Sequence, residues 1–103
     1  MFLTHPDAWN VYAGGTSAAS DRNSYDVQTT IGDYKIWPIS ARDNCERHIG
    51  YRVHFCNVLG HLPGGLWQTL ANLTTLPHAR RLCRDHLEQH NGDLQSTHAG
   101  VST

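Results

Sequence analysis

The sequence predicts an α+β fold, an antiparallel sheet of three or four strands packed on one C-terminal helix. Three observations carry that prediction. Ile49, Tyr51, Val53 and Phe55 alternate with Arg52, His54 and Cys56, the two-residue period of a strand with one buried face. Leu76, Ala79, Cys83 and Leu87 recur three or four residues apart, the stripe of an amphipathic helix. Between them Gly60, Pro63, Gly64 and Gly65 interrupt any regular element, so the chain reads as strand, turn, strand and helix.

The elements follow in order. Trp9, Val11 and Ala13 alternate with Asn10 and Tyr12, which suggests a short N-terminal strand ending at Gly14 and Gly15. Residues 14–24 are small or polar and read as a loop. Tyr25, Val27, Thr29 and Ile31 form a second alternating run, separated by Gly32 and Asp33 from a third run over 34–39, the pattern of a tight hairpin. Pro38 has no amide hydrogen, so the third run should end there or present that position at a sheet edge. Residues 40–48 are polar and read as a loop before the strand at 49–58, and 66–71 form the returning strand. Thr74 or Thr75 can cap a helix with Pro77 in its first turn, and Asn91 and Gly92 are its stop signal after about Gln89.

Composition bounds the rest. A chain of 103 residues with 39% hydrophobic and 17% charged content supports one core and is too short for two ordinary domains. Residues 1–92 are expected to form a single domain and 93–103 a disordered tail without apolar period. A formal charge of -1 gives the whole molecule no strong attraction to nucleic acid or membrane. The three cysteines, Cys45, Cys56 and Cys83, do not form a disulfide framework, and reduced thiols fit a cytoplasmic protein. No basic leader with an apolar core opens the chain and no run of 18 apolar residues occurs, so a soluble, unexported protein without membrane partner is expected.

The residues with recognition chemistry fall on one surface. Side chains alternate across a strand, so Lys35, Trp37, Arg52, His54 and Cys56, with Trp67, should lie on the sheet face opposite the helix. One helix cannot cover both faces. Aromatic and arginine side chains dominate recognition hot spots, which makes this face a candidate for self-association, for a ligand or nucleic acid, or for coverage by the N-terminal segment or the loop of residues 14–24.

Other constellations are thinner. Cys45 with His48, and Cys83 with His86, are two Cys-x-x-His pairs that could supply four zinc ligands, with His90 one turn beyond His86. Cys83 already fits the apolar stripe, however, and the expectation is no metal and no cofactor. Cys56 with His54 or His61 could pair a thiol with a base, but no Asp or Asn is placed to orient it. The glycines of 60–65 lack the Lys-Ser/Thr end and the following helix of a phosphate loop. No catalytic residue is therefore assigned.

Two resemblances can be drawn. Tyr34-Lys35-Ile36-Trp37-Pro38-Ile39, Gly50-Tyr51-Arg52-Val53-His54-Phe55 and Leu62-Pro63-Gly64-Gly65-Leu66-Trp67 together resemble small orphan proteins of bacterial mobile elements, of integron-cassette or phage type. That resemblance covers about residues 34–90 and implies a cytoplasmic accessory protein. The order of three strands and a helix is also similar to double-stranded RNA-binding domains, with Pro77-His78-Ala79-Arg80-Arg81 at the start of the last helix. The lysine pair and N-terminal helix of that family are missing here. The expectation is a non-catalytic binding module working through the open sheet face, as a homodimer or with a protein partner. The alternative is a nucleic-acid module using Lys35, Arg52, Arg80, Arg81 and Arg84.

Overall fold

In the computed structural model, which describes residues 2–13, 23–40 and 48–94, the strands are β1 (Asn10–Tyr12), β2 (Ser24–Thr29), β3 (Gly32–Ser40), β4 (His48–Cys56) and β5 (Trp67–Thr74). They form one antiparallel sheet in chain order β1-β2-β3-β4-β5, and the helix α1 (Leu76–Gln89) lies on one of its faces. The sheet has five strands rather than three or four. The addition is β1, whose three residues are all exposed and which pairs Tyr12 with Ser24 and Asn10 with Asp26.

Parity on the long strands follows the expected alternation. Tyr34, Ile36, Val53 and Phe55 are fully buried and meet Ala79, Cys83 and Leu87 of α1, which are also fully buried. Two short 3-10 turns, Phe2–Thr4 and Pro6–Ala8, precede β1. Leu3 joins the core and accepts a 2.9 Å hydrogen bond from Trp9 Nε1, and the first turn packs on α1. The described N-terminal segment therefore closes the core beside the helix, leaving the opposite face of the sheet uncovered by it. Residues 14–22, the other segment considered as a cover, lie outside the described residues, as does Cys45.

Three local expectations are corrected, and of the two alternatives at Pro38 the sheet-edge position holds. The β2–β3 turn is Thr30-Ile31, with Thr29 paired to Gly32, so Gly32 and Asp33 begin β3 instead of forming the turn. Thr29 Oγ1 supplies the pinning contacts by donating to Gly32 O at 2.6 Å and accepting from Ile31 N at 3.3 Å. Gly32 is needed for close approach: at φ 148° a Cβ there would stand 2.5 Å from Cys56 O and 2.7 Å from Phe55 Cζ.

Ile49 is 44% exposed instead of sharing the buried face. Ile39 pairs with Gly50 and Ser40 with His48, so Ile49 is the extra residue of a β-bulge and leaves the alternation. Pro38 does not end β3. It pairs with Tyr51 of β4, while the β2 register stops at Tyr25–Ile36, so no β2 partner faces the proline. At the other end of the chain, Asp93 and Leu94 are ordered instead of starting the tail. Thr30 N donates to Asp93 O at 2.8 Å, Asp93 N donates to Thr30 Oγ1 at 2.9 Å, and Leu94 bridges to Thr29. The remainder, 95–103, lies outside the described residues.

The helix has the expected limits. Thr75 is the N-cap, its side chain accepting from His78 N at 3.4 Å, and Pro77 sits in the first turn. Asn91 takes a left-handed φ of 56° and Gly92 N returns to Leu87 O at 2.8 Å, closing the C-terminus. No described helix is long and apolar enough to cross a membrane.

Candidate binding face

The register assembles the open face in rows across the strands. Asp33, Cys56 and Trp67 form one row; Asp26, Lys35, His54 and Thr69 the next; Trp37 and Arg52 a third, with Tyr12 paired to Ser24 at the β1 edge. All six residues assigned to this face from sequence are on it.

Three of them form an aromatic cluster. The Trp37 ring lies 5.0 Å from the His54 ring and 6.0 Å from the Trp67 ring, and Trp67 meets His54 edge-on at 6.1 Å. Trp37 is 40% and Trp67 49% exposed, so the cluster presents large apolar surface to water. Aromatic pairs in such tilted arrangements stabilise each other by about 0.5–1.5 kcal/mol beyond burial, which holds the rings in place without a covering layer. His54 Nδ1 lies 3.3 Å from Thr69 Oγ1. Burial and, secondarily, the Arg52 charge hold the His54 pKa below its ordinary value, so this ring is neutral near pH 7.

The charges are unevenly distributed. Lys35 Nζ is 3.7 Å from Asp26 Oδ2, and Asp26 also accepts from Asn10 Nδ2 at 3.0 Å, so the lysine is neutralised within the sheet. Asp33 is half-buried, and burial pushes its pKa up against the opposing pull of Lys35. Arg52 is exposed and makes no ion pair with a described residue. An acidic margin at Asp33 and a cationic margin at Arg52 thus flank the aromatic cluster.

Cys56 departs from expectation. Its parity puts it on the open face, but it is only 8% exposed, seated between Asp33 and Trp67 in its row, and offers little contact surface. The connection after β4 is anchored by Asn57, whose Nδ2 donates to Leu62 O at 2.7 Å, and by Gln68 Nε2, which donates to Pro63 O at 3.2 Å. These anchors, with Thr69 and Tyr12, were not identified from sequence. Thr69 depends on a bulge between Val53–Ala71 and His54–Thr69 that periodicity does not reveal, and Tyr12 depends on which strand β1 joins.

The helix arginines do not extend this face. Arg80 stacks its guanidinium 5.3 Å over Tyr25, on the helix-covered side of the sheet. Arg84 pairs with Asp85 at 2.6 Å and with Glu88 at 3.9 Å, leaving Arg81 exposed on the helix. The thickness of the sheet separates them from Lys35 and Arg52.

Of the four zinc candidates, Cys83 is fully buried in the core, and burial pushes its thiol pKa strongly up. His86 Nδ1 lies 2.6 Å from the Tyr34 hydroxyl. Cys45 lies outside the described residues, and no group of three or more His, Cys, Asp or Glu side chains among the described residues is arranged to hold a metal ion.

Comparison of the chain with protein-family models, with curated proteins and with solved structures found no match.

Proposed function

We propose that the chain is a binding module whose working surface is the open sheet face, and that the partner at this face is a second copy of itself. The observation that carries this reading is the Trp37–His54–Trp67 cluster, standing exposed on the side of the sheet that α1 does not cover. Exposed tryptophan pairs on an ordered platform are typical anchors of interfaces.

Self-association is favoured by the charge layout. A two-fold axis across the strands, along the Lys35–His54–Thr69 row, sets the Arg52 row of one copy on the Asp33–Cys56 row of the other. The Arg52 guanidinium, which pairs with no described residue, then meets a row that carries a carboxylate rather than another guanidinium. Size is adequate: strands about 4.8 Å apart and up to about 30 Å long give a plane of roughly 500 Å², and its side-chain relief brings the accessible area towards the roughly 800 Å² per partner of a standard interface.

The nucleic-acid alternative has less support, because Arg80 and Arg84 are engaged at the helix and Lys35 is paired with Asp26. The resemblance over residues 34–90 supports placing the module among accessory proteins of bacterial mobile elements. The free thiols of Cys56 and Cys83 fit a reducing cytoplasm.

The test is sedimentation equilibrium of the native chain from about 50 to 500 mM salt. A dimer whose affinity changes little over that range is expected, since its core is aromatic and one charge pair per half is screened. A monomer at all concentrations, or tight DNA or RNA binding that falls steeply with salt, would overturn the reading.

A further inference from the structure

Away from the open face, the last turns of α1 carry two imidazoles that sequence reading left unassigned as a pair. His86 and His90 are four residues apart on one helix face, both half-buried, with ring centres 4.6 Å apart. That separation fits shared coordination. An imidazole bound at about 2.0–2.1 Å puts its ring centre roughly 3.2 Å from the ion, and two such rings at 90–110° stand about 4.5–5.2 Å apart.

The surroundings of His86 match what a metal ligand needs. Its ring packs 4.8 Å from Phe55 and 5.5 Å from Tyr34, which fixes its plane, and Nδ1 is tied to Tyr34 Oη at 2.6 Å. Nε2 is then the nitrogen left for coordination. Tyr34 is fully buried with its hydroxyl against the ring, placed as an outer partner to His86.

We propose that His86 Nε2 and His90 form a two-histidine chelate for a borderline divalent transition ion of the zinc, nickel or copper class, with water in the remaining positions and Tyr34 as the outer hydrogen-bond partner of His86. With Nε2 on the ion the neutral ring carries its one proton on Nδ1, which stays bonded to the ring and donates a hydrogen bond to Tyr34 Oη, so no net proton is released from it. The preference for this class over magnesium or calcium follows from the all-imidazole donor set. Occupancy would clamp the last turn of α1, two residues before Gly92.

The probe is Zn²⁺ alone, titrated calorimetrically at pH 7.5 into the full chain and followed in parallel by the thermal midpoint. One site is expected, with His90→Asn and His86→Asn each lowering its affinity at least tenfold. Tyr34→Phe should weaken binding about 10–100-fold, the usual effect of removing an outer-shell partner. Because Tyr34 is buried and its variant could be unstable, His90→Asn, at the half-buried end of the helix, is the deciding substitution. Unchanged Zn²⁺ affinity in His90→Asn overturns the proposal. Loss of binding in Cys45→Ser or His48→Asn, with His90→Asn unaffected, overturns it in favour of the two Cys-x-x-His pairs.

Discussion

Trp37 on β3 and Trp67 on β5 touch across the intervening strand, their ring centres 6.0 Å apart over the imidazole of His54. Strands two apart are separated by roughly 9.6 Å, so both indoles must lean inward to meet. They do so on the face that the helix leaves open, which makes the contact a feature of the surface and not of the core.

Phe55 and Arg52 test the parity of β4. Phe55 is fully buried and Arg52 exposed three positions away on the same strand. Phe55→Ala should cost about 3–5 kcal/mol, as truncated core aromatics do, and Arg52→Ala within about 0.5 kcal/mol, in urea denaturation of the monomer. Equal losses would contradict the assignment.

Gly32 tests the close approach at the β2–β3 corner. A methyl group there meets Cys56 O and the Phe55 ring, at a φ of 148° that side chains rarely adopt. Gly32→Ala is expected to lose about 2–4 kcal/mol from combined strain and overpacking, measured by chemical denaturation. A neutral substitution would mean that the corner is looser than described.

Thr75 tests the start of the helix. Its side chain accepts from His78 N, and Thr75→Ala should lower stability by about 1 kcal/mol while Thr75→Asn leaves it nearly unchanged. Thr74→Ala, the other residue sequence reading considered for the cap, should have the smaller effect.

The histidines give stability a pH dependence of defined sign. His54 has its pKa lowered from 6.5 by burial and by Arg52, and Lys35 faces it from β3. The unfolded chain therefore binds the proton more readily, so the contribution of the neutral ring is present above pH 6.5 and is lost as pH falls towards its folded pKa. His86 shifts in the same direction through burial and His90. Unfolding free energy should decline from pH 7 to pH 5, and His54→Gln should flatten that slope in part. A slope of opposite sign would refute the assignment.

Much of this fold was legible because its longest elements carry undiluted periodicity. Tyr51, Val53 and Phe55, and the stripe through Ala79, Cys83 and Leu87, point inward as the alternation requires, and Thr75, Asn91 and Gly92 mark the helix ends. What escaped were irregularities that add or displace one residue. The bulge at Ile49 reversed its face, and a turn built on Thr30-Ile31 with Thr29 as its anchor lacks the glycine that pattern reading expects inside it. The open face was legible as a set of residues from strand parity alone. Its shape was not, because the contact of Trp37 with Trp67 depends on strand order and on the β5 register, and the burial of Cys56 depends on its neighbours Asp33 and Trp67.

The central claim is that the exposed indoles serve association and not folding. Sedimentation velocity on the native chain, Trp37→Ala and Trp67→Ala, with circular dichroism and denaturation on the same samples, tests it most directly. Interface anchors of this kind contribute about 2 kcal/mol or more, so dimer affinity should fall about 30-fold or further in each variant while helix and strand signals stay intact. A variant that sediments as the native chain does, or one that unfolds, would contradict the account by showing that the tryptophans are either idle surface or part of the fold.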